Sequence, residues 1–192
     1  MSFQKCLLAI ELVALVTAIG CANTPQKVVA TEKEKQEAKD RYVTNTAARE
    51  AEASNYVEIK YKPGSATLTD NAKSSLNSVI KQAREEGKID EVIVLSWADE
   101  EYPSKNLKDL PKSQSELAEK RNKSIEQYVK SMRDVDVNTY NMAERPTALS
   151  KLFNTADSKL KDTMVTAGLS TTENSADYVN KASHSIILIK VK

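Results

Sequence analysis

Hydrophobic positions along this chain come in blocks that differ in spacing. Residues 1–20 hold Lys5 and then a mostly apolar stretch from Leu7 to Ile19, interrupted by Glu11. Residues 22–55 are rich in Lys, Glu, Ala, Thr and Asn and carry almost no large apolar side chain. That composition predicts a solvated helix from Thr31 to Asn55 and no core of its own. At Tyr56 the period becomes two, with Val57, Ile59 and Tyr61 on one face of an expected strand and Tyr56, Glu58 and Lys60 on the other. Lys62-Pro63-Gly64 ends that run. Thr69 or Asp70 can cap a helix whose apolar positions Ala72, Leu76, Val79, Ile80 and Ala83 recur at helical spacing until Gly87. The continuous run Val92 to Leu95 reads as a central strand buried on both faces.

Pro103 and Pro111 lie in a polar loop that leads to a helix from about Ser113 to Met132. Its apolar stripe is Leu117, Ile125, Tyr128 and Met132, and Arg121 stands where another apolar residue belongs. Val135, Val137 and Thr139 alternate as a third strand. Pro146 precedes a helix expected near 147–167, with Leu149, Leu152, Phe153, Ala156, Leu160 and Met164 on one face and Gly168 beyond it. Ser185 to Val191 is a strongly apolar closing strand. The order predicts an α+β fold, β-α-β-α-β-(α)-β, with helices packed on a small mixed parallel and antiparallel sheet.

Charge narrows the function classes. Among 192 residues the net charge is +1 with acids and bases interspersed, so no electrostatic footprint for nucleic acid is present. Aromatics are 5% of residues, too few for a broad stacking platform, although Trp97 and Tyr102 offer limited stacking. The first twenty residues have the layout of a secretory signal and are short for a bilayer span. They end at Ala18-Ile19-Gly20-Cys21, which resembles a bacterial lipoprotein lipobox with Ala18 at the usual leucine position. Cys21 is therefore the expected lipidation site, with plain secretion as the other reading. Cys6 leaves with the signal, so the mature chain holds neither a disulfide nor a cysteine metal site. His184 is the one histidine and there are four glycines, so no nucleophilic triad, phosphate loop or metal set is expected, and no enzyme or cofactor.

One constellation remains. Val92-Ile93-Val94-Leu95 runs out through Ser96-Trp97-Ala98-Asp99, and the following helix carries Gln114-Ser115-Glu116-Leu117-Ala118-Glu119-Lys120-Arg121-Asn122. With Tyr56 to Leu68 upstream, these segments resemble the OmpA-like C-terminal domain, the peptidoglycan-anchoring module of outer-membrane proteins, Pal-type lipoproteins and flagellar stator proteins. The family motifs run roughly Gly-x-Thr-Asp and Asn-x-x-Leu-Ser-x-x-Arg-Ala. Here the acid, the leucine and the arginine stand, Gln114 replaces the asparagine, and the glycine, threonine, serine and alanine are absent. The stretch between Asp99 and Arg121 is longer than the family's by about half a dozen residues. Near the C-terminus the family's Asn-Arg-Arg is replaced by Lys181-Ala182-Ser183-His184-Ser185.

The resemblance implies a domain over 56–192, a charged, partly helical linker over 21–55 and a lipoprotein-type signal over 1–20. It implies non-covalent binding of peptidoglycan through stem-peptide diaminopimelate, by Asp99 and Arg121 with Gln114, Leu117 and Trp97 around them. An acid suits the ligand's ammonium, and a guanidinium suits its carboxylate because it donates two parallel hydrogen bonds. The partners so implied are peptidoglycan and, through the N-terminal lipid, the periplasmic face of the outer membrane. The alternative is an envelope-protein interaction module that has lost the ligand. Taken as isolated residues, Asp99 is a loop acid and Arg121 a solvated helix residue.

Overall fold

The computed structural model describes residues 31–100, 110–144, 159–162 and 179–192. The expected signal, Cys21, Tyr102 with most of its loop, and most of the helix expected near 147–167 lie outside the described residues. The described chain is mixed α+β: α1 Glu32–Glu50, β1 Asn55–Lys60, α2 Asp70–Glu86, β2 Ile89–Ser96, α3 Lys112–Met132, β3 Asp136–Asn141 and β4 His184–Val191. Residues 159–162 are also helical. The strands form one sheet in the order β1-β4-β2-β3. β4 is antiparallel to both β1 and β2, while β2 and β3 are parallel. A parallel pair needs a long crossover, and α3 supplies it.

The start and the stop of α2 have identifiable causes. The Thr69 hydroxyl accepts from the Ala72 N–H and caps α2, whose buried face is Ala72, Leu76, Val79, Ile80 and Ala83, as the spacing predicts. Gly87 follows, and a Cβ there would stand 2.6 Å from the Lys192 carbonyl oxygen, so glycine is needed for room. On α3 the buried face is Ala118, Arg121, Asn122, Ile125 and Val129. Of the expected stripe, Ile125 is in the core and Tyr128 and Met132 pack half-buried against it, while Leu117 is half-buried outside those clusters. Ala118 packs with Ala98 and Ala143, and the small side chains let the helix turn that flank to the sheet.

The central strands β2 and β4 are buried on both faces. Ile59, Tyr61, Val92, Val94, Ile187 and Ile189 pack with α2 and the later turns of α3. Ile93, Leu95, Trp97, Ile186 and Leu188 pack on the other face with Val43, Ala47, Ala48 and Ala51 of α1 and its end. This is the larger departure from the sequence reading, in which residues 21–55 are a solvated linker. The helix forms, opened by a Thr31–Glu34 capping box, but it covers one face of the sheet. Small side chains suffice because the strands supply the bulk.

A buried lysine fixes α1 in place. Lys181, fully buried, donates from Nζ to Asp40 on α1, to Thr44 Oγ1 at 3.0 Å and to Glu58 Oε1 and Oε2 on β1 at 2.9 and 2.8 Å. An ammonium removed from water needs such compensation, and here two carboxylates and a hydroxyl provide it.

Candidate functional site

Three segments converge beyond the end of β2. The chain leaves β2 at Ser96, and three residues later Asp99 sits over the buried flank of α3. Arg121 is 0% exposed, and each of its nitrogens has a protein acceptor. Nε donates to the Ser65 carbonyl at 2.9 Å, Nη1 to the Trp97 carbonyl at 2.8 Å and Nη2 to Asp99 Oδ1 at 2.6 Å. Its Cζ lies 4.7 Å from the centre of the Tyr61 ring, within range of a cation–π contact. The solvated arginine of the isolated-residue reading is therefore excluded.

Asp99 keeps a side chain that is 20% exposed. Oδ1 also accepts from the Ser183 hydroxyl at 2.7 Å, and Oδ2 accepts from the Gly64 N–H. Burial pushes this carboxyl up, but Ser183, Arg121 and Gly64 together outweigh it and hold it below its ordinary value. The result is a carboxylate at the protein surface, ionised at neutral pH and fixed from several sides. Burial pushes the neighbouring Tyr61 hydroxyl up to about 12 despite the smaller pull of Ser185 and Arg121.

The other expected site residues have different placements. Gln114 accepts from the backbone N–H groups of Asp99, at 3.0 Å, and Glu100, at 3.3 Å, so it holds the strand exit against α3. Leu117 is half-buried on α3. Trp97 is 3% exposed, with its ring in the α1-side core. Its expected role as a stacking surface is thereby corrected: it serves Arg121 through its carbonyl. In the segment 181–184, Lys181 turns to α1 and β1, and His184 donates from Nδ1 to the Ala182 carbonyl at 2.7 Å. Ser183 is the residue of that segment bonded to Asp99.

Residue spacing did not identify Gly64, Ser65 or Ser183 as members of the site. Two of the three contribute backbone atoms, which carry no side-chain signature, and Ser183 arrives from the far end of the chain with φ +60. Lys62-Pro63-Gly64 was legible as a turn, and the turn is where the contacts originate. A separate surface cleft of about 530 Å³ lies between α3 and the end of β3, lined by Lys112, Ser115, Glu119, Lys123, Asn141 and Glu144 among others. Neither Asp99 nor Arg121 lines it. Among the described residues no group of His, Cys, Asp and Glu is arranged to hold a metal ion. No family model matches the chain, and no curated protein is significantly similar to it.

Proposed function

We propose that this protein is a lipid-anchored envelope protein with an OmpA-like domain, which binds peptidoglycan non-covalently through the diaminopimelate of the stem peptide and moors the outer membrane to the wall. The observation that carries this reading is the 2.6 Å contact between Asp99, beyond a central strand, and Arg121, on the next helix. The motif resemblance expects the two residues to meet at one edge of the sheet, and the contact supports that expectation. The element order β-α-β-α-β followed by a late strand, on a mixed sheet, also supports it. Asp99 would take the ligand's ammonium at its exposed edge, and Arg121 the carboxylate, with Gln114 holding the segment between them. Single-site affinity of this kind is modest, and a tethered protein facing a repetitive polymer gains from effective concentration. The test is co-sedimentation of the protein with purified sacculi, comparing wild type with Asp99→Ala and Arg121→Ala after circular dichroism has shown both variants folded. Loss of binding in both is expected, and equal sedimentation of all three would sink the assignment.

A second reading is favoured by one specific observation, the complete burial of Arg121 with its donors on Ser65, Trp97 and Asp99. On that reading the pair serves the fold alone and the domain is a protein-interaction module of the envelope. It predicts a protein partner that stays bound after wall digestion. Crosslinking that captures none would count against it.

A further inference from the structure

The two charges of the candidate site are both engaged by a single surface turn. Lys62-Pro63-Gly64-Ser65 is closed by the Ser65 N–H to the Lys62 carbonyl at 3.0 Å, with Pro63 second and Gly64 third at φ +72, the residues and the sign a type II turn requires. Its outer residues Lys62, Pro63 and Gly64 are exposed. From this turn the Gly64 N–H donates to Asp99 Oδ2, and the Ser65 carbonyl accepts from Arg121 Nε at 2.9 Å. A donor on the acid and an acceptor on the base, one residue apart, are what an α-amino-acid group would also present, as ammonium and carboxylate on one carbon.

We infer that the 62–65 turn is a strap which occupies the Asp99–Arg121 pair in place of a zwitterionic ligand and must swing aside for one to bind. The inference rests on the peptidoglycan reading of that pair and adds its regulation. The turn is suited to the exchange. It lies between two buried anchors, Tyr61 and Leu68, and Thr69 fixes the start of α2, so the strap can move while β1 and α2 stay in place. Each contact it gives up is a single hydrogen bond to a charged group, and the ligand restores both with charged partners, which bind more strongly. Arg121 is buried because the strap, the Trp97 carbonyl and Asp99 close over it; moving the strap exposes Nε without moving α3. The closed strap also explains how a buried guanidinium is tolerated in the absence of ligand.

The test combines a ligand-free arm with a ligand arm, both on the intact protein. In the ligand-free arm, amide exchange at Gly64 is followed by NMR in wild type and Asp99→Asn. The amide side chain offers one acceptor where the carboxylate serves three donors, so the Gly64 amide should exchange at least tenfold faster, with the α2 amides unchanged. No change there overturns the strap whatever the ligand does. In the ligand arm, meso-diaminopimelate is titrated into wild type and Gly64→Ala. A Cβ at Gly64 meets nothing within 4 Å, so alanine opposes the closed turn only through its positive φ. Binding should speed exchange at Gly64, and Gly64→Ala should bind about fivefold more tightly. Binding with Gly64 still protected, or weaker binding by Gly64→Ala, overturns the strap and leaves the site standing. Absence of binding by both proteins, with Gly64 released in Asp99→Asn all the same, overturns the site and with it the competition.

Discussion

Arg121 and Asp99 are unequal partners, and the inequality is testable. Arg121 is wholly inside, whereas Asp99 retains contact with water and two further donors. Removing the acid strands a buried guanidinium, so Asp99→Ala should cost about 3 to 5 kcal/mol in urea unfolding. Arg121→Met leaves a carboxylate that water and Ser183 still serve, and its cost should be roughly half as large. The reverse order would mean that Asp99 is not the counter-ion. The lowered carboxyl also sets an acid dependence. Between its folded value and the ordinary 3.8, the unfolded chain holds a proton that the folded chain does not. Stability therefore rises with pH across that window and the pair's contribution is lost as pH falls through it. Urea midpoints taken from about pH 5 down to about pH 2 should show this slope in wild type and a shallower one in Asp99→Asn.

At the scale of elements, α1 is where the sequence and the structure part company. A helix was legible from composition; its docking was not, because four small or modest residues, Val43, Ala47, Ala48 and Ala51, give no amphipathic signal against so many charges. The charge that holds it, Lys181, comes from the other end of the chain, and no local window contains both halves of that contact. Lys181→Met should release α1, lowering stability by about 3 kcal/mol and speeding amide exchange along residues 40–51 ahead of α2. Uniform exchange in the two helices would show that α1 is not separately held. By contrast α2 was fully legible, since its stripe, its cap and its stop are all local. The stop has a structural reason that spacing alone did not reveal. A Cβ at Gly87 would stand 2.6 Å from both the Lys192 carbonyl and Val191 Cγ1, so Gly87→Ala should cost about 1 to 3 kcal/mol in thermal or urea unfolding. A neutral outcome would show that the end of β4 yields.

For the whole molecule, the strand pattern was readable because β2 and β4 are apolar runs buried on both faces, and the acid–arginine pair only through the motif resemblance, since the charge in the helix stripe pointed to no partner by itself. Gln114 was named by the same resemblance, but Gly64, Ser65 and the Trp97 carbonyl were not readable, since they act through backbone atoms, and Ser183 joins only when the sheet closes. The strand order has a further consequence. β4, latest of the described strands in the chain, lies between β1 and β2 and is hydrogen-bonded to both. Until it is synthesised, two strands made much earlier have no partner along the edges it will fill, and the Ser183 and Lys181 contacts are missing too. Assembly of this sheet waits on His184–Val191. Until that strand is made the sheet stays open, and the candidate site and the packed helix are then completed together.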